Sequence, residues 1–245
     1  MNNYLKRKPI LGSIMIMLGF ILVLFIAGMI SSIFSVESKL TFMLGFMVVA
    51  IVLIIYIINN KKWKEYGFIP DKINKKELLY ILPLFIIAFM PLITGVDMSI
   101  EISIVFYTIT YMVFVAFVEE TIYRGIIFNA LESKGNKFAI VLSAIFFGAS
   151  HLLSISGGKD IVETSYQVIF AIIMGMVLAL VILLTRNIYF CIAYHLINNV
   201  IVSISLTSVD NDRFISYFIM IFAIVYMLLL IKIYASKSRS QNVKV

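Results

Sequence analysis

The sequence predicts an all-α, polytopic transmembrane helix bundle of about eight spans with both termini cytoplasmic. Three observations predict it. Of the 245 residues, 62% are hydrophobic and only 13% are charged, at a mean hydropathy of +1.06. A soluble domain carries about 25% charged residues, and a soluble fold of this length cannot hide so much apolar surface from water. The apolar residues fall into eight runs near the ~20 residues that cross a bilayer. Finally, alternating those runs from a cytoplasmic N-terminus puts seventeen Lys and Arg on one side and three on the other, the bias expected of cytoplasmic loops.

The runs are expected at about 11–33, 40–58, 78–95, 99–118, 138–155, 166–184, 188–206 and 215–234. The first follows Lys6, Arg7 and Lys8 but lacks a small-residue cleavage site, so it reads as an uncleaved span and not a signal peptide. The first three runs carry almost no polar residues and read as scaffold or lipid-facing packing. Between the second and third lies a Lys-rich cytoplasmic loop, residues 59–77, with Trp63 and Tyr66 as expected interfacial anchors. The fourth run meets a polar break at Glu119-Glu120 and turns apolar again toward Leu131. The tail 236–245 is polar and expected to fray.

Charge follows the same map. The outer side collects Lys39, Lys159 and Arg213 against seven acids, whereas the inner side is strongly basic. The net +7 is therefore explained by topology and anionic inner-leaflet lipid, with no nucleic-acid partner required. Cys191 is the only cysteine, which excludes an internal disulfide. The residue usage, rich in Ile, Lys and Asn, looks like that of an AT-rich bacterium, so a bacterial cytoplasmic membrane is the expected location.

Ionisable groups inside a bilayer are costly and mark function, so the search for a site is short. Both histidines, His151 and His195, fall inside expected spans. In Glu119-Glu120-Thr121-Ile122-Tyr123-Arg124, residues 120 and 124 share a helical face. Arg124 is thus expected to neutralise Glu120, leaving Glu119, which points ~140° away from it, for other work. The plainer alternative is a span that ends in surface charges. In Phe147-Gly148-Ala149-Ser150-His151, Phe147 lies one turn before the histidine, and the small residues permit a close neighbouring helix. In His195-Leu196-Ile197-Asn198-Asn199, His195 and Asn199 share a face, with Asn198 slightly round the helix. A packed core histidine and a polar interhelical contact are the plain alternatives here. Together the clusters supply a general base, its partner and hydrogen-bond donors for an oxyanion, the requirements for hydrolysing a peptide bond with an activated water.

The motifs Glu119-Glu120-x-x-x-Arg124, Phe147-x-x-x-His151 and His195-x-x-x-Asn199, in this order across adjacent spans, resemble those of the CPBP family of intramembrane CAAX-protease-like and bacteriocin-processing (Abi) endopeptidases. The resemblance covers about residues 100–206, including the Thr185-Arg186-Asn187 break before the histidine helix. It implies that residues 99–206 are the catalytic core; the chain is expected to form one integral membrane domain, with 1–98 as N-terminal scaffold spans and 207–245 as the last span and polar tail. It further implies that Glu119 and His151 activate water, that His195 and Asn199 stabilise the oxyanion, and that Glu120, Arg124, Phe147 and Asn198 support them. The family is now described as glutamate peptidases and was earlier considered zinc-dependent. The expectation is accordingly no cofactor, with Glu119, His151 and His195 as the zinc ligands in the metal-dependent alternative. The expected partners are the lipid bilayer and a hydrophobic peptide or membrane-protein substrate; the sequence leaves oligomeric state open. Two rival readings are a non-catalytic membrane immunity or scaffold protein and a small transporter with a Glu/His proton relay.

Overall fold

Backbone amides and carbonyls inside lipid have no water to bond, so a chain this apolar satisfies them within helices. The computed structural model describes residues 2–72, 75–156, 158–206 and 209–242, which among themselves hold helices, connecting turns and a single antiparallel bridge, Val96 with Ser205. The helices are α1 (Asn2–Arg7), α2 (Pro9–Phe34), α3 (Ser38–Asn60), α4 (Lys75–Phe89), α5 (Ile102–Glu120), α6 (Phe128–Glu132), α7 (Asn136–Ser150), α8 (Leu153–Ser156), α9 (Ile161–Thr185), α10 (Tyr189–Ile204) and α11 (Val209–Asn242). A 3-10 turn, Met90–Thr94, extends α4, and a π-helical turn, Thr121–Ile127, joins α5 to α6. The protein is a multi-pass membrane helix bundle.

Six helical stretches are long and apolar enough to cross a membrane: Pro9–Phe34, Ser38–Asn60, Ile102–Glu132, Asn136–Ile155, Ile161–Thr185 and Phe214–Arg239. The third confirms that the helix runs on past the Glu119-Glu120 break. The runs expected at 78–95 and 188–206 are shorter apolar helices, Leu78–Thr94 and Tyr189–Ile204. At the rise of a straight helix the 16 residues of α10 cover about 24 Å. The 3-10 extension lengthens the α4 segment to about 28 Å over Leu78–Thr94, because each 3-10 residue rises further. Where both helices stop, their continuing backbones bond to each other: Leu206 N–H donates to Gly95 O at 3.0 Å and Asp97 N–H to Ile204 O at 2.9 Å. The two short helices thus satisfy each other's orphan backbone groups.

At the basic end the loop expected to anchor at the interface folds inward instead. Tyr66 and Phe68 are buried, Trp63 packs edge-on against Phe68 at 5.5 Å, and Tyr66 stacks on Tyr56. Gly67, at φ +82, lets the loop lie against the turn after α9, and Ile188 N–H donates to Gly67 O at 3.1 Å. Ile188 is fully buried, so α10 starts beneath this loop.

The tail also departs from expectation. Helix α11 continues to Asn242; residues 243–245, including Lys244 of the basic set, lie outside the described residues.

The centre of the bundle is α9, the most buried of the long helices. Its partner α7 approaches through two glycines. A Cβ at Gly175 would lie 2.9 Å from both Cα and Cβ of Ala144, and one at Gly148 would lie 3.1 Å from Val168 O. That approach carries the end of α7, and His151 with it, into the interior.

Candidate active site

Glu119 and Glu120 end α5, where the helix widens into the π turn. Single π turns inside α-helices recur at functional sites, and no residue pattern announced this one. Glu120 is fully buried and Glu119 only partly, with side-chain exposures of 0% and 12%. Arg124 Nη1 donates to Glu120 Oε1 at 3.1 Å, as the four-residue spacing predicts. The same oxygen accepts a second bond from His195 Nδ1, at 2.7 Å. A carboxylate only accepts, so this fixes the proton of His195 on Nδ1. Its other nitrogen, Nε2, faces Glu119 Oε2 at 3.8 Å. Glu119 is therefore the freer carboxylate of the two.

His151 caps the end of α7. Its Nδ1 lies 2.9 Å from Phe147 O, and a carbonyl cannot donate, so Nδ1 carries the hydrogen; in the neutral ring Nε2 is then an acceptor. Phe147 contributes its ring as well. That ring packs edge-on against His151 at 5.0 Å, against His195 at 6.0 Å and against Tyr123 at 5.1 Å. The Arg124 guanidinium sits 4.2 Å above it, a cation–π contact in a water-poor setting. One aromatic ring thus touches a residue from each of the three motifs.

Glu119, His151, His195 and Asn199 line one cavity of about 270 Å³. Asn199 donates from Nδ2 to Met112 Sδ at 3.7 Å, a weak bond that leaves its amide exchangeable. Asn198 does not line this cavity and has no hydrogen bond among the described residues. Glu120 and Arg124 stand behind the cavity wall and fix His195.

The rest of the wall was not anticipated. Phe20 and Leu24 of α2 and Phe46 of α3 line it, together with Tyr111, Met112 and Val115 of α5. The first two spans are therefore part of the site's enclosure, not a detached scaffold. They were missed because an apolar residue facing a site and one facing lipid give the same hydropathy. Gln167 of α9 also lines the cavity; its signal was available, as a polar residue inside the apolar run after Tyr166.

Among the described residues no three His, Cys, Asp or Glu side chains are arranged to hold a metal ion. The alternative zinc set of Glu119, His151 and His195 shares the cavity without that grouping.

A multi-pass helical bundle with a buried glutamate–histidine site enclosed by its own helices is the class of protein these features define. Within it, residues 101–201, from the start of α5 through most of α10, match the family described as Type II CAAX prenyl endopeptidase Rce1-like. That match spans all three motifs and supports the likeness to the CAAX-protease-like family, a family of proteases. No curated protein matches the chain.

Proposed function

We propose that this protein is an intramembrane endopeptidase that cleaves a membrane-embedded or hydrophobic peptide by activated water. The observation that carries the reading is the convergence of Glu119, His151, His195 and Asn199 on one cavity. Glu119 takes a proton from a water held against the acceptor Nε2 of His151, and the resulting hydroxide attacks the substrate carbonyl. The oxyanion that forms is met by His195 Nε2–H and the Asn199 amide.

For His195 to donate from Nε2 while Nδ1–H is bound to Glu120, it must be an imidazolium. Charge balance supports that form. Glu119 and Glu120 contribute two negative charges and Arg124 one positive, Glu120 and Arg124 buried and Glu119 partly so; a proton on His195 neutralises the set, and buried charges persist only when paired. The substrate must unwind near its scissile bond, because a helix hides its own carbonyls.

The family's described substrates are prenylated CAAX proteins, whereas the bacterial character of the sequence favours an unprenylated membrane peptide in a cytoplasmic membrane. The test uses purified protein in liposomes with two internally quenched probes, a farnesylated CAAX-type peptide and a transmembrane helix interrupted by Gly-Pro. Wild type cleaves at least one. Glu119→Gln, His151→Ala, His195→Ala and Asn199→Ala lose that activity while remaining inserted. Cleavage by Glu119→Gln at the wild-type rate would end the proposal, and loss of wild-type cleavage on exhaustive chelation would overturn the metal-free mechanism.

A further inference from the structure

We infer that Gln167 is a substrate-binding residue, its side-chain amide donating to a backbone carbonyl of the peptide beside the scissile bond. The inference rests on the peptidase reading above and adds to it a residue outside the three motifs.

The position itself is unusual. Thr164, Gln167, Ala171, Met174 and Leu178 follow one another at spacings of three and four along α9, which places them on one face. Thr164, Ala171, Met174 and Leu178 are all buried in the core. The glutamine in that stripe is half-buried, with its polar end toward the interior, where an unpaired amide costs roughly 1–3 kcal/mol. It lies instead at the cavity that holds Glu119 and His151.

The orientation of the amide follows from its partners. Ser154 Oγ donates to Gln167 Oε1 at 3.2 Å, and Lys159 Nζ donates to the same oxygen at 3.2 Å. An ammonium has no acceptor, so the oxygen, and not the nitrogen, must face Lys159. The NH₂ is thereby turned away from that clamp, and among the described residues it donates to nothing.

Its neighbours on this side of the cavity have no hydrogen to spare. The Ser150 hydroxyl is given to Phe147 O, His151 Nδ1–H to the same carbonyl, and the Ser154 hydroxyl to Gln167 itself. A peptide unwound inside a membrane brings carbonyls that have lost their helical N–H partners and have no water to replace them. The Gln167 NH₂ is the donor that the α7–α9 wall offers to such a carbonyl.

A merely structural role is the competing explanation, since Gln167 also ties α9 to the segment carrying Ser154 and Lys159. Gln167→Glu separates the two. It keeps an oxygen for Ser154, gives Lys159 an ion pair, and puts a second acceptor oxygen where the NH₂ donor was. The experiment measures binding of the same two peptide probes, by fluorescence anisotropy, to the non-cleaving Glu119→Gln protein in liposomes. Gln167→Glu in that background weakens binding of the cleavable probe by about tenfold, the loss of one hydrogen bond to substrate. Lys159→Ala removes one of the two bonds that orient the amide but leaves the NH₂ in place, so it weakens binding less than Gln167→Glu does. Unchanged binding by Gln167→Glu, with equal insertion and thermal stability, overturns the inference while leaving the peptidase reading intact. Binding of neither probe to Glu119→Gln protein overturns both.

Discussion

Replacing Gly175 with alanine should damage both stability and catalysis, and the size of each effect follows from the packing of α7 on α9. The added Cβ would lie 2.9 Å from both Cα and Cβ of Ala144 and 3.4 Å from its carbonyl oxygen. Carbon atoms settle at about 3.5–4.0 Å, so the helices must separate locally by about 0.6–1 Å. No rotamer change relieves this, because the opposing atoms belong to a backbone and to an alanine. Overpacking of this kind costs about 1–3 kcal/mol, which in a chain of this length lowers Tm by about 2–12 °C. His151 lies seven residues beyond Ala144 on the same α7 element, about 10 Å along its axis. A shift near 1 Å at a reacting group costs about 100-fold in rate. Thermal unfolding in detergent and cleavage of the quenched peptide probe measure the two effects. Gly19→Ala is the control, since nothing lies within 4 Å of its added Cβ. Adding Ala144→Gly to Gly175→Ala should rescue only partly, because the Cα of residue 144 remains in the way. Wild-type Tm and wild-type cleavage in Gly175→Ala would refute the argument that this contact sets the position of His151.

Three other perturbations test separate parts of the structure. Glu120→Gln leaves Arg124 buried beside an uncharged amide; breaking such a pair costs about 3–5 kcal/mol, so its Tm should fall well below that of Glu119→Gln, and equal values would contradict the division of labour between the glutamates. Cys191 is fully buried, with Sγ 3.6 Å from Leu178 O, so maleimide should leave the folded protein unmodified by mass and label it after denaturation; rapid labelling of the native protein would show that α10 is not packed as described. At the acidic end, the Ser99 hydroxyl and backbone N–H both donate to Asp97 Oδ1 and hold its carboxyl below the usual range. That interaction favours the fold above the ordinary aspartate pKa and is lost as pH falls through the lowered folded value. Ser99→Ala should raise the Asp97 titration midpoint toward the ordinary value by NMR, and an unchanged midpoint would reject the assignment.

What could be read from the sequence was what local periodicity encodes. The Glu120–Arg124 pair, the Phe147–His151 pair and the long helices each depend on residues within a turn or a run of one another, and each is present. The bond between His195 and Glu120 joins residues 75 positions apart, and no local pattern carries that information. The π turn was invisible because it changes the hydrogen-bond register without changing composition. Phe20 and Phe46 sit on helices that look uniformly apolar, and only tertiary structure separates their cavity-facing side from the lipid-facing one. The loop around Tyr66 was misplaced for a related reason. Trp and Tyr beside lysines suit a membrane interface, but Gly67 and the short α10 create a buried seat that these rings fill.

The paired glutamates then make physical sense as two different devices. A catalytic base must be able to change its charge, whereas the group that orients a histidine must not. Glu120 is fully buried, and its Oε1 is held by Arg124 on one side and His195 on the other. The buried Arg124 needs that counter-charge, and the same carboxylate oxygen fixes the His195 ring. Glu119 has no comparable anchor: its nearest charged partner is His195 Nε2 at 3.8 Å, too long for a hydrogen bond, and it faces the cavity. In the proposed reaction, when Glu119 gains a proton from water, the positive charge on His195 loses one counter-ion just as the substrate oxyanion supplies another. The net charge inside the bundle is then the same before and after attack. In a medium where each unpaired charge costs several kcal/mol, that constancy is a reason for one helix end to carry two carboxylates with one of them permanently engaged.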